Sequence, residues 1–226
     1  MVSRPLPTLE VERSLLDRGA SLVAGADEVG RGAWAGPLTV AVVVVDPRVD
    51  APPGVDDSKR LSAKRRQALL APVAEWCVAS AVGDVSAAEL DRIGVSAALR
   101  TALTRALAAL PVRPDALIMD GTVDLLAKVE PDLLEPSSTV ALPPMRVWQP
   151  KADATCASVA AASIVAKEHR DDIMRSLDAS FPAFGFSTNV GYPSAEHRRA
   201  LAGYGATAEH RVSWAFVDDL PWSSRH

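Results

Sequence analysis

With 226 residues, 48% of them apolar and 23% charged, the chain has enough material for one sizeable core and the composition of an ordinary folded, water-soluble protein. Its net charge of −4 shows none of the Lys and Arg excess that marks most nucleic-acid binders, although local patches rather than totals set phosphate binding. Cys77 and Cys156 match neither a disulfide framework nor a zinc spacing, and read as buried apolar side chains in a reducing compartment.

Residues 1 to about 20 are polar and mixed in charge, which excludes a signal-peptide core and reads as a short flexible or helical lead-in. Ser21 to Ala26 and Leu38 to Val45 are β-rich runs bounded by Gly and Pro, hence two strands. The second is the longest apolar run and is far too short to span a bilayer, so the expected location is cytoplasmic, with no membrane partner. After a Pro/Asp-rich loop from Pro47 to Lys59, Ser62 caps a helix running to about Glu75, and Val78 to Val85 gives a third strand. Ser86 to Arg92 is a short helix closed by Gly94. Ser96 then caps a second one with Leu99, Leu103, Leu107 and Leu110 on its apolar face, stopped by Pro111.

Ala116 to Met119 reads as a buried strand delivering Asp120, and Thr122 to Pro144 as an irregular stretch. Met145 to Trp148 is a further strand, and Ala157, Ala160, Ala161, Ile164 and Val165 mark one face of a helix, with helical pieces filling most of the remainder. Strands clustered early and helices late predict a mixed α/β sheet with a helical C-terminal part. The expected organisation is a lead-in over 1–20 and a single catalytic domain over 21–226, including C-terminal helices from about 194.

Asp27-Glu28-Val29-Gly30-Arg31-Gly32 closes the first strand. Adjacent strand residues point to opposite faces, so for both acids to serve one site the chain must bend there, which the glycines permit. A solvated acidic turn is the commoner fate of such a pair. A dinucleotide loop is excluded, because the glycines miss its spacing and two acids would repel a pyrophosphate. Asp120 lies where open α/β sheets bind ligands, but Asp-Gly is also a turn signal. Asp153, before the alanine-rich helix, reads by itself as a helix N-cap, and Lys167 to Asp172 equally as an exposed helix end. Tyr192, in Gly191-Tyr192-Pro193-Ser194, reads by itself as a turn residue with a half-buried ring. Three Glu-His-Arg triplets, at 168–170, 196–198 and 209–211, lack metal-ligand spacing and read as helix-surface chemistry. Lys59, Arg60, Lys64, Arg65 and Arg66 form a local basic run suited to backbone phosphates or, equally for 64–66, a solvated helix face.

Taken in order, the series AGADEVGRGAWAGPL, DDSKRLS, MDG, KADATCASVAAASIVAKEHRD, GYPSAEH and GATAEHRVSW resembles bacterial ribonuclease HII, the type 2 ribonuclease H family, from about residue 22 to 217. The resemblance implies a ribonuclease H-like fold: a mixed sheet flanked by helices, with a C-terminal helical extension. It implies catalytic, metal-holding acids at Asp27, Glu28, Asp120 and Asp153, with Mg²⁺ or Mn²⁺ as cofactor. It also implies a ribonucleotide-sensing loop at Gly30, Arg31 and Gly32 and a junction-sensing Tyr192, with Lys59 added as a substrate contact. The implied activity is hydrolysis of RNA in RNA–DNA hybrids and incision 5′ of single ribonucleotides in duplex DNA, as in ribonucleotide excision repair, by a monomer. Ala152 stands where Gly is usual, Glu168-His169 replaces a more apolar or hydroxylic pair, Phe216 replaces Pro, and extra residues fall around Val123 to Ser138.

Three other readings compete. Ribonuclease HIII shares the fold and chemistry but carries an extra N-terminal domain, for which twenty residues leave no room. A catalytically dead hybrid-binding module would not need four acids, and a small-molecule phosphohydrolase would not need the basic run.

Overall fold

The β-branched run of Leu38 to Val45 becomes the strand β2 (Leu38–Val45), with all eight residues buried, as a strand covered on both faces requires. In this computed structural model, which describes residues 5–122, 124, 126, 142–218 and 220, β2 pairs antiparallel with β1 (Val23–Val29) and with β3 (Ala79–Val85). On the far side of β1, β4 (Ala116–Asp120) runs parallel to it, and β5 (Met145–Gln149) runs parallel to β4. The order β3-β2-β1-β4-β5 puts β1 at the centre of a mixed sheet. Because Ala26 lies opposite Met119 in a parallel ladder, Asp27 and Asp120 lie side by side at the same end of the sheet.

One face of the sheet is covered by α3 (Ala87–Ile93) and α4 (Val95–Ala109), whose Leu99, Leu103 and Leu107 pack against Val40, Val42, Leu117 and Met119. The other face takes α1 (Glu10–Asp17), α2 (Ala63–Trp76) and α5 (Ala157–Ser180). There Ala160, Ala161 and Ile164 meet Val43 and Val45, while Val159 meets Val23 and Ile118. Beyond the sheet, the second half of α5 joins α6 (Phe186–Asn189), α7 (Ala195–Tyr204) and Phe216 in an aromatic-rich cluster around Met174. The lead-in is part of this body: Leu15 and Ala20 are buried, and Glu12 accepts hydrogen bonds from the Ser158 amide (2.9 Å) and hydroxyl (2.7 Å). It thereby satisfies donors in the first turn of α5.

Four local expectations change. The first strand runs through both acids to Val29, because β2 offers partners up to Thr39. Ser96 is not a cap: Gly94 ends α3 and directly precedes α4, leaving Ser96 within the first turn of α4. Asp153 is not the N-cap of α5; that position belongs to Cys156, and Asp153 sits in a separate 3-10 turn, Ala152–Ala154. Lys167 to Asp172 is no exposed helix end, since α5 continues to Ser180 and buries Glu168, Arg170 and Asp171. Of the two cysteines, Cys156 is buried and Cys77 only half-buried. The Val123 to Ser138 segment lies almost wholly outside the described residues.

Candidate active site

The four acids lie at the carboxyl end of β1 and β4 and in the turn beside it. Asp27 is buried on the face that packs against α5. Glu28, on the opposite face, lines a cleft of about 300 Å³ with Arg31, Ser96, Leu99, Met119, Asp120, Gly121 and Thr122. No bend between the two acids is needed, because Asp120 ends β4 where it influences Glu28, while Asp153 influences Asp27. The Asp120 carboxylate accepts the Ala152 amide at 3.1 Å, which ties the end of β4 to the turn holding Asp153. Lys151, just before that turn, adopts the left-handed region (φ 60°), a conformation that costs a non-glycine residue about 1 kcal/mol.

Burial pushes the Asp27 carboxyl well above the usual carboxylate range, and Glu28 and Asp153 add to this while Lys59 opposes it. Glu28 is raised by burial, opposed by Arg31 and raised further by Asp120. In both, burial disfavours the charged form by more than Lys59 and Arg31 restore it. Among the described residues no three Asp, Glu, His or Cys side chains are gathered closely enough to cage an ion by themselves.

The glycine loop and the tyrosine also come together. Gly30 has φ +83°, and a Cβ there would lie 2.3 Å from Arg170 Nε; Gly191 has φ +82°, and a Cβ there would lie 2.3 Å from the Ala35 carbonyl oxygen. Only glycine fits either position. The Trp34 and Ala35 amides donate to the Gly191 carbonyl (2.8 and 3.2 Å), joining the two loops. A Cβ at Gly32 would face open space with the Tyr192 ring 3.9 Å away, and Tyr192 itself is exposed. Val190, before this turn, has φ 45°, an outlier for a β-branched residue, and its carbonyl accepts Arg170 Nη1 at 2.9 Å.

The basic run divides. Lys59 Nζ lies 3.2 Å from Asp153 Oδ2, inside the acid cluster, and Arg60 pairs with Asp56 at 2.7 Å. Arg66 is turned inward: it binds Glu168 at 2.7 Å, approaches Asp171 at 3.6 Å, and donates to the Leu61 carbonyl. Only Lys64 and Arg65 of the 64–66 run stay exposed, so the run is not a continuous phosphate-facing face.

The Glu-His-Arg triplets, expected on the surface, carry much of the scaffold. Arg170 and Arg211 are fully buried. Arg170 donates to the carbonyls of Pro37, Val190 and Ala35; Arg211 donates to those of Arg31 and Gly36. The Thr207 amide donates to His210 Nδ1, so His210 donates from Nε2 to His197 Nε2 (2.9 Å), and His197 donates from Nδ1 to the Tyr192 carbonyl (2.9 Å). Helical spacing held the signal for two of these residues: Ala166 and Met174 flank Arg170 at four residues, and Ala200 and Leu201 lie three and four after His197. Phe216 stacks on Trp34 with centroids 4.3 Å apart, which accounts for an aromatic residue there.

A five-stranded mixed sheet between helical layers, with carboxylates at the ends of its central strands, defines a ribonuclease H-like protein. The family model "Ribonuclease HII" matches residues 24–217. A curated ribonuclease HII from Streptomyces avermitilis is 46% identical over 95% of this chain and 86% of its own length. The structure of the ribonuclease H2 from Pyrococcus horikoshii OT3 superposes with a TM-score of 0.68 at 27% identity, over 88% of this chain and 96% of that one. That of ribonuclease HII from Archaeoglobus fulgidus, solved as a complex with PCNA, gives 0.65 at 30% identity, over 85% and 95%. The chain belongs to the ribonuclease HII family, and by that membership it is a ribonuclease H, a metal-dependent endoribonuclease of the hydrolase class. Among the described residues no helix is long and apolar enough to cross a membrane.

Proposed function

We propose that this chain hydrolyses the RNA strand of RNA–DNA hybrids and incises on the 5′ side of single ribonucleotides embedded in duplex DNA, leaving 3′-hydroxyl and 5′-phosphate ends. The observation that carries the reading is the placing of Asp27, Glu28, Asp120 and Asp153 at one end of the sheet, beside a glycine loop in which a Cβ at Gly32 would lie 3.9 Å from an exposed tyrosine ring. The donors on offer at Asp27, Glu28, Asp120 and Asp153 are all carboxylate oxygens, which suit Mg²⁺ or Mn²⁺. An ion held there would complete its shell with water and substrate phosphate. When bound, two such ions supply an activated water and neutralise charge on the attacked phosphate.

The rest of the work falls to the chain. Asp27 and Asp153, held rigid by the core and by the Ala152–Ala154 turn, fix one side of the site, while Glu28 and Asp120 line the cleft on the other. Arg31, 66% exposed in its side chain and 3.8 Å from Glu28, is free to meet a phosphate. Among the described residues neither the amide nor the carbonyl of Gly32 has an intramolecular hydrogen-bond partner, which leaves both for a 2′-hydroxyl, the group that separates RNA from DNA. Tyr192 tests the sugar beyond the cut. The reading extends to a monomer acting in the cytoplasm. The test is cleavage of a duplex carrying one ribonucleotide, with and without divalent cation, beside an all-DNA duplex and a continuous hybrid. Metal-dependent incision 5′ of the ribonucleotide, with the all-DNA duplex intact, is expected; cleavage indifferent to the ribonucleotide overturns the reading.

A further inference from the structure

Two carboxylates as buried as Asp27 and Asp153 need positive charge nearby, and the chain supplies it from its own side chains. Lys59 Nζ sits 3.2 Å from Asp153 Oδ2, and Asp27 feels the same charge. The arm and its root behave differently. The Lys59 side chain is 72% exposed, against 7% for that of Asp153, so the ammonium enters the cluster from solvent. Its backbone, by contrast, lies in a pinned 3-10 turn, Ser58–Arg60. Asp57 Oδ1 accepts the Lys59 amide (2.9 Å) and Ser163 Oγ accepts the Ser58 amide (3.0 Å), while Arg66 Nη1 donates to the Ser58 and Leu61 carbonyls (3.3 and 2.9 Å). Arg66 is in turn fastened to α5 through Glu168. A fixed root with a loose, solvent-reaching arm places the charge reliably yet lets it leave.

We propose that Lys59 is a resident counter-ion that occupies the Asp27–Asp153 side of the site, and that a divalent cation must displace its ammonium in order to bind there. The inference rests on the reading of the four acids as metal ligands. An ammonium within hydrogen-bonding distance of Asp153 Oδ2 competes for the oxygen an ion would use and repels that ion at short range. Lysine suits the part, because its compact charge is strongly hydrated and returns readily to water, whereas a guanidinium would lock both carboxylate oxygens. An empty cluster of buried acids is thereby kept from repelling itself, and its selectivity is set against weakly attracted monovalent ions.

The test uses the full chain without substrate, titrated with Mn²⁺ and followed by calorimetry and by the paramagnetic resonance signal of free Mn²⁺. Lys59→Met is expected to bind Mn²⁺ about tenfold or more tightly than wild type, through loss of a competing like charge, while Lys59→Arg binds no more tightly than wild type. Equal or weaker binding by Lys59→Met overturns the proposal. Asp27→Asn separates the two levels of the argument: if it binds Mn²⁺ as well as wild type does, the metal-ligand reading fails, and the counter-ion role falls with it. A second readout needs no variant. Acylation of Lys59 by an amine-reactive ester, followed by peptide mass spectrometry, is expected to accelerate when Mn²⁺ is added to the wild type. An unchanged rate counts against displacement.

Discussion

The carboxyl end of the sheet and the C-terminal scaffold behind it both bury ionisable side chains, yet they treat them in opposite ways. Around Arg170, Arg211, His197 and His210, most buried donors meet backbone carbonyls or each other, Arg211 Nε being an exception, and two loops are held together as a result. Around Asp27, Glu28, Asp120 and Asp153, like charges face one another and one exposed lysine is the ammonium among them. Satisfied burial marks what must stay in place, and frustrated burial marks what is kept ready for something that is not part of the chain. That contrast says which kind of buried polar residue to associate with chemistry.

The sharpest way to break the contrast is at the acids. Asp27→Asn and Asp120→Asn are each expected to abolish cleavage. Asp27→Asn is also expected to raise the thermal midpoint, because it relieves buried repulsion. Circular dichroism melts beside a cleavage assay decide this, and substantial activity at ordinary Mg²⁺, or a lowered midpoint for Asp27→Asn, would remove the distinction. In the scaffold the sign reverses. Arg170→Met leaves two buried carbonyls, of Pro37 and Ala35, and the half-buried one of Val190 short of a donor, and is expected to cost about 2 kcal/mol or more in urea unfolding, at about 1–3 kcal/mol for each buried one. A loss below about 1 kcal/mol would mean that those carbonyls find other donors.

Next in size is a pH effect. Burial, then His197, holds the His210 ring at about 4, against an ordinary value near 6.5. Because folding lowers this pKa, the contribution to stability is complete above about pH 6.5 and is lost as the pH falls from there towards 4, on the order of 3 kcal/mol in all. His169 has the opposite sign: the Asp84 hydrogen bond at 2.7 Å raises it, so its contribution is present below its ordinary pKa and lost as pH rises through the folded value. Being 39% exposed, it contributes little. Urea midpoints from pH 7.5 to 4.5 are expected to fall more steeply for wild type than for His210→Gln, and equal slopes would refute the neutral pair.

The smallest effect belongs to Tyr192, which lies on the border of the two regions. Tyr192→Ala is expected to lower kcat/KM on a single embedded ribonucleotide by about 1–3 kcal/mol and to impair a continuous hybrid less. An unchanged ratio of the two values returns the ring to the status of a turn residue.

Much of this was legible from the residues. The run Leu38–Val45 gave β2 to the residue, because a β-branched segment with no polar interruption has few alternatives. The Ser62 cap was also found where expected, since a cap is a local bond between near neighbours. Asp153 was the harder case: its sequence context is that of an N-cap, and its turn is held by contacts distant in sequence, such as the bond from Ala152 to Asp120 and that from the Thr8 amide to the Thr155 carbonyl. Arg66, Arg170 and His197 were misread for the same reason. A charged residue's type speaks for the surface, and its partners, at Glu168, Pro37 and His210, are fixed by tertiary packing that local pattern does not report.

The order of strands also bears on how the site comes into being. β1, β2 and β3 form a meander that can pair as soon as it is made, but β1 waits for β4, whose partner residue Ala116 lies about ninety positions after Val23. Asp153 follows later still, and α5, which comes directly after the turn that holds it, is fastened at its first turn by Glu12 from early in the chain. On a ribosome, then, the first two acids would emerge long before the last two join them. If the proposed reading of the four acids holds, the nascent chain is expected to stay catalytically silent until most of its length is in place, because no product ending before residue 153 carries the complete set.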